Sequence, residues 1–172
     1  MVKIQAHLFE NIISSNASEA KFLYKKNWFG EPVGEKIQYS IPETLFLVEE
    51  NKMDVFVRNK KISEQELINR LKKIDKNIQI KYSVFRDLRK KGYIVKTALK
   101  FGAEFRVYEK GTNPGGQHAK WIVFVDCESR KLTWHEFAAK NRVAHSTRKN
   151  LLLAIVDEEN DITYYEVRWI KP

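Results

Sequence analysis

The sequence predicts two successive domains, an α+β domain over residues 1–80 and an α/β domain over residues 81–172 built on a mixed sheet. Three observations predict this. A chain of 172 residues with 43% hydrophobic content can bury one good core or two small ones. Helical and strand periodicities alternate up to about residue 80, then give way mainly to strands after Gly92. Charge is divided in the same way. Residues 1–80 carry 13 Lys+Arg against 11 Asp+Glu, and residues 81–172 carry 18 against 11.

The elements follow in order. IQAHLFENII and AKFLYKK read as short strands. SIPETLFLVEEN reads as a helix, with Ser40 as cap, Glu43 three residues on and Pro42 in its first turn. MDVFVRN is a strand. ISEQELINRLKKIDKN is a helix opened by Ser63 and Glu66, with Leu67, Leu71 and Ile74 on one face. IKYSVFRDLRKKG is a basic amphipathic helix with Val84, Phe85 and Leu88 inward and Gly92 closing it. YIVKTA, EFRVYEK and HAKWIVFVD are strands. A helix over 133–147 opens with a capping box from Thr133 and Glu136. LLLAIVD and ITYYEVRWI are the last strands.

Composition narrows the function classes. No run approaches the ~18 apolar residues of a membrane span, and MVKIQAHLFE lacks the charged-then-apolar pattern of a signal peptide. A cytoplasmic protein is expected. A single cysteine, Cys127, leaves no internal disulfide and no cysteine-rich zinc site. The formal charge of +9 and pI of about 9.5 suit a polyanionic partner, and the excess in the second half suits nucleic acid docking there.

RVYEKGTNPGGQHAKW spends three of the chain's seven glycines and one of its four prolines between Tyr108 and His118. Taken alone, the Gly/Pro loop reads as a surface turn. A third segment, NRVAHSTRKNLLLAIVDEEND, delivers Lys149 just before an apolar strand. Together GYIVKTALKFGAEFRVY, KGTNPGGQH and RVAHSTRKNLLLAIVD resemble the catalytic domain of the archaeal tRNA-splicing (tRNA-intron) endonucleases. That family's pattern is GYxVKxGxKFGxDFxxY, then a glycine-containing loop, a histidine, and RxAxxxRK before a hydrophobic strand. LYKKNWFGEP and SIPETLFLVEENKMDVF are similar to the family's N-terminal part, so the resemblance spans nearly the whole chain. Ala98 stands for a usual glycine and Glu104 for a usual aspartate.

The resemblance implies a restriction-endonuclease-like sheet and a catalytic triad at Tyr108, His118 and Lys149. In those roles the tyrosine takes the proton from the 2′-hydroxyl, the histidine protonates the leaving 5′-oxygen and the lysine steadies the charged phosphorane. It implies precursor tRNA cut at bulge-helix-bulge sites, leaving a 2′,3′-cyclic phosphate and a 5′-hydroxyl. It also implies that Arg142 stacks on a bulged base, with Arg148 assisting through phosphate. Asp157, Glu158, Glu159 and Asp161 would form an acidic loop that enters a basic pocket of a neighbouring subunit. The closing ITYYEVRWI strand would pair with a second copy. A homotetramer, or a heterotetramer with a related subunit, is therefore expected, with no cofactor and no metal.

The chemistry is self-consistent. RNA supplies its own nucleophile, so a base, an acid and a cation about the phosphate suffice. An ordinary tyrosine is only about 0.1% ionised at pH 7, a deficit of roughly 4 kcal/mol, so a cation must favour the phenolate. Two other readings stand beside this one. A noncatalytic RNA-gripping subunit would lack part of the triad. A metal-dependent DNA nuclease would need clustered carboxylates and a Glu-x-Lys, which the second half does not contain. His7, His135 and His145 read as structural or exposed residues.

Overall fold

A computed structural model describes residues 2–170. The chain divides into two compact units, Met1–Tyr82 and Ser83–Pro172.

The first unit is built on a six-stranded sheet. IQAHLFENII is not one strand but a hairpin, β1 (Ile4–Phe9) and β2 (Ile12–Ser15), with Phe9 opposite Ile12. Glu10 takes φ 52° in the intervening two-residue turn. AKFLYKK is not a strand either: it lies in helix α1 (Ser18–Asn27). Ala20 and Leu23 are its buried residues, three apart, which is a helical spacing. Glu19 at its start and Lys25 and Lys26 at its end complement the helix dipole. A second hairpin, β3 (Glu31–Val33) and β4 (Lys36–Tyr39), was not expected from the sequence.

Helix α2 (Ile41–Glu49) carries the expected capping box. The Glu43 N–H donates to Ser40 Oγ, and the Glu43 carboxylate accepts from the Ser40 N–H at 3.0 Å. The other Glu43 oxygen accepts from the Gly30 N–H at 2.9 Å. Gly30 is a position only glycine fills, with φ 76° and Ile37 Cγ2 only 2.3 Å from where a Cβ would stand. β5 (Met53–Val57) turns through Arg58 and Asn59, both at positive φ, into the two-residue β6 (Lys60–Lys61). The sheet order is β3-β4-β2-β1-β5-β6, with β1 and β5 parallel. α3 (Glu64–Ile74) is capped by Ser63, which accepts from the Glu66 N–H, and buries Leu67 and Leu71. Ile74, expected on the same face, is 40% exposed in the last turn.

Helix α4 (Ile78–Lys90) crosses the division between the units. It ends in a Schellman motif, Tyr93 N–H to Leu88 O and Gly92 N–H to Arg89 O, with Gly92 at φ 90°. The second unit holds a five-stranded sheet of order β11-β10-β9-β8-β7. Its strands are β7 (Ile94–Ala98), β8 (Ala103–Tyr108), β9 (Trp121–Cys127), β10 (Asn150–Val156) and β11 (Ile162–Val167). A 3-10 turn, Leu99–Phe101, joins β7 to β8.

β9 and β10 are parallel and all other pairs antiparallel, so the sheet is mixed. The parallel pair is connected by α5 (Trp134–Ser146), since parallel neighbours need a long crossover. Thr133 and Glu136 form the expected capping box on α5. Ile122, Phe124 and Leu151 pack on Ala144 of α5. Phe105, from the opposite face, meets Phe85 of α4 at 5.8 Å between ring centroids. Val84, Phe85 and Leu88 are all buried, as the helical spacing predicts.

Candidate active site

Strand register brings two of the predicted triad residues, Tyr108 and Lys149, to one end of this sheet. β8 runs toward that end and stops at Tyr108; β9 and β10, parallel to each other, both start there. The Lys120 N–H donates to Val107 O at 2.9 Å, and the Asn150 N–H donates to Lys120 O at 2.9 Å. Tyr108, Lys120 and Lys149 thus sit at the same level of three adjacent strands. With strands about 4.8 Å apart, the backbones of Tyr108 and Lys149 are separated by roughly 10 Å, within the joint reach of their side chains.

Tyr108 is the last residue of β8 and is buried. His118 was expected at the start of the next strand, but β9 begins three residues later, at Trp121, and His118 is an exposed loop residue. The strand cannot begin earlier because ladder pairing with β8 resumes only at Lys120. Lys149 is half-buried between the end of α5 and the start of β10. Its Nζ donates to Thr147 O at 2.8 Å and lies 5.8 Å from the centroid of the Phe101 ring. Burial first, then the positive charges of Arg106 and Lys100, hold this ammonium below the ordinary lysine range.

The loop from Glu109 to Ala119 is a folded structure rather than slack chain. Thr112 Oγ1 donates to Glu109 O at 2.7 Å, the Asn113 N–H to Gln117 Oε1 at 2.9 Å, and the Gly115 N–H to Asn113 Oδ1 at 2.8 Å. Of the three loop glycines, only Gly111 uses positive φ, at 78°. Gly115 and Gly116 do not, and at Gly116 open space surrounds the place of a missing Cβ.

The other predicted residues occupy distinct places. Arg142 is exposed on α5, beside an open depression of about 590 Å³ that Phe137, His145 and Trp169 also line. His145 packs against Trp169 with centroids 4.4 Å apart. Arg148 takes φ 54° as the chain leaves α5, and its N–H donates to His145 O. In the turn between β10 and β11, the Asp157 carboxylate accepts from the N–H groups of Glu159 and Asp161 at 2.9 and 2.8 Å. It is a turn former. Glu158, Glu159 and Asp161 are exposed.

One carboxylate escaped the sequence reading. Glu166 on β11 accepts from Trp121 Nε1 at 2.9 Å, Asn150 Nδ2 at 3.0 Å and Arg168 Nε at 2.7 Å. It ties together the first residues of β9 and β10 at the end of the sheet that also holds Tyr108 and Lys149. The Trp121 indole first, then Arg168, hold it below the usual carboxylate range. Only its place opposite Leu152 in the folded sheet marks it out. Among the described residues, no group of three or more His, Cys, Asp or Glu is arranged to hold a metal ion. No helix among them is long and apolar enough to cross a membrane.

Comparison with known proteins matches residues 6–68 to the tRNA intron endonuclease N-terminal domain and residues 78–164 to its catalytic C-terminal domain. A tRNA-splicing endonuclease of Thermococcus onnurineus is 42% identical over 149 residues, covering 87% of this chain and 85% of that one. That of Thermococcus kodakarensis is 40% identical over 162 residues, 94% and 95% of the two chains. That of Methanothermobacter thermautotrophicus is 37% identical over 172 residues, 99% and 100%. The chain belongs to the tRNA-splicing endonuclease family and carries both the N-terminal and the catalytic domain of that family.

Proposed function

We propose that this chain cleaves precursor tRNA at bulge-helix-bulge splice sites by attack of a ribose 2′-hydroxyl on the adjacent phosphorus, without a metal ion. Tyr108, as phenolate, takes the 2′-proton as the O2′–P bond forms. His118, as imidazolium, gives its proton to O5′ as the P–O5′ bond breaks. The ammonium of Lys149 offsets the charge that gathers on the non-bridging oxygens. The products are a 2′,3′-cyclic phosphate and a 5′-hydroxyl.

The observation that carries the reading is the opening of Tyr108, the His118 loop and Lys149 from one end of three neighbouring strands. An unpaired bulge suits it, because a paired A-form strand holds the 2′-oxygen out of line with the leaving group. Arg142 and Arg148 would contact the RNA. A cytoplasmic location, and the likening of the sheet to that of restriction nucleases, go with this proposal, the latter supported by the mixed pairing and the α5 crossover.

Assembly as a homotetramer, or a heterotetramer with a related subunit, completes it. Exposed Glu158, Glu159 and Asp161 are available to a basic pocket, and β11 stands at the edge of its sheet. The test is cleavage of a bulge-helix-bulge RNA in EDTA, with end-group analysis and sizing of the purified chain. Tyr108→Phe and His118→Ala are each expected to slow single-turnover cleavage by about 10² to 10⁴-fold with RNA affinity nearly intact. Cleavage of a substrate bearing 2′-deoxyribose at the scissile nucleotide would refute the mechanism.

A further inference from the structure

Trp121, Asn150 and Glu166 stand on one face of the second unit's sheet. Asn150 lies opposite Trp121 across the β9–β10 ladder, and Leu152, two residues on, lies opposite Glu166 across β10–β11. The face is the one that α4 covers: Trp121 pairs with Val107, and Phe105, two residues before Val107, meets Phe85. Lys149 reaches the other side. Its Nζ lies 5.8 Å from the centroid of the Phe101 ring, which packs against the core beneath α5.

The β10–β11 ladder ends at Leu151 opposite Val167, one residue short of Asn150 and two short of Lys149. The Glu166 carboxylate carries the connection further. One oxygen accepts from Asn150 Nδ2 at 3.0 Å and from Arg168 Nε at 2.7 Å, and the other reaches across β10 to accept from Trp121 Nε1 at 2.9 Å. Trp121 is itself held, with the Tyr93 ring edge-on at 5.7 Å and the Lys120 ammonium 4.6 Å from the centre of its ring.

The Asn150 N–H donates to Lys120 O at 2.9 Å. Asn150 is therefore fixed twice, by its main chain to the start of β9 and by its side chain to β11. Its amide nitrogen is joined to the carbonyl carbon of Lys149. From the helix side, the Lys149 N–H donates to Ala144 O at 2.9 Å. The lysine is thus a short span between two anchored points.

We propose that Glu166 is a positioning residue for the cleavage reaction: through Asn150 it fixes the start of β10 and so aims the Lys149 ammonium. The inference rests on Lys149 being the cation of the reaction proposed above. Glu166 acts from the opposite face of the sheet, through the backbone. An exposed carboxylate adds little to stability, so its three bonds count through geometry. A lysine ammonium stands roughly 6 Å from its Cα, so a tilt of about 10° at the backbone moves it by about 1 Å. A misplacement of that size costs up to about 10²-fold in rate.

The experiment is a double-mutant cycle in the full chain. Single-turnover cleavage of a bulge-helix-bulge RNA at saturating protein is measured for the parent, Glu166→Ala, Lys149→Met and the double variant. Glu166→Ala is expected to slow cleavage about 10- to 10²-fold, with RNA affinity within about threefold of the parent. In the Lys149→Met background the same substitution is expected to change the rate less than about twofold, since no ammonium remains to be aimed. Equal slowing in both backgrounds overturns the proposal, because a general loosening of the fold would slow both alike. A Glu166→Ala variant that cleaves at the parent rate, or that only binds RNA more weakly, overturns it as well. Should Glu166→Ala fail to fold by circular dichroism, Asn150→Ala, which keeps the main-chain bond to Lys120 O, takes its place in the cycle and is read the same way. Cleavage by Lys149→Met at the parent rate would instead remove the cation assignment, and this inference with it.

Discussion

Lys149→Met separates chemistry from stability at the proposed site. Methionine keeps an unbranched stem over Phe101 and deletes the charge. In the folded protein, burial and the charges of Arg106 and Lys100 hold the Lys149 ammonium below the ordinary lysine range. The folded state therefore binds this proton less tightly than the unfolded state. The resulting penalty is fully present at neutral pH, where both states are charged. It fades as pH rises through the folded value toward the ordinary value near 10.4. Opposing it are the hydrogen bond to Thr147 O and the contact with the Phe101 ring, together worth about 1–2 kcal/mol. The two act in opposite directions, so the variant is expected to lose less than about 2 kcal/mol relative to the parent. Its barrier to cleavage is expected to rise by about 3–4 kcal/mol, or 10² to 10³-fold in rate, the usual cost of losing one group that stabilises a developing oxyanion. Urea unfolding followed by tryptophan fluorescence and single-turnover cleavage measure the two quantities. A variant that cleaves at the parent rate but loses more than about 2 kcal/mol would show that the ammonium is a structural strut.

Two further substitutions probe the frame around the site. Glu43→Ala removes a 4%-exposed carboxylate that accepts from the Gly30 and Ser40 N–H groups, and the orphaned donors are expected to cost the first unit about 2–4 kcal/mol; a thermal midpoint within 2 °C of the parent would be inconsistent with this account. Glu166→Gln removes a carboxylate whose affinity for protons is lowered by folding. Its contribution is present above the ordinary glutamate value near 4.3 and is lost as pH falls through the lower folded value. Because the group is largely exposed, the difference from the parent is expected below about 1 kcal/mol at pH 7 and smaller at pH 3, measured by urea titration at each pH.

Much of the second unit was readable from spacing alone. Val84, Phe85 and Leu88 announce the inner face of α4, and Thr133 with Glu136 announces the start of α5, because these signals are local and chemically specific. The first unit was harder. IQAHLFENII holds too few turn residues to betray the bend at Glu10, and AKFLYKK has an apolar pattern short enough to fit either period. The β3–β4 hairpin carries Gly34 at its turn, but its strands, three and four residues long, are too short to show alternation. At the site, Tyr108 and Lys149 fall where the ordered motifs predict, at a strand end and just before a strand. His118 lies farther from β9 than the apolar run suggests, since only the folded ladder decides where pairing starts. Glu166 acts across strands, and no local pattern joins it to its partners.

The loop between Tyr108 and Trp121 separates the fates of the three side chains. The phenol belongs to a strand and the ammonium to a helix-to-strand junction, so both are fixed by the body of the domain. The imidazole alone hangs from a connection of adjustable length. Adding or deleting residues around Gly115 would redirect the proposed acid, His118, while sparing Tyr108 and Lys149. Under the proposed mechanism the length of that segment is thus a dial on one proton, and loop grafting is the simplest way to turn it.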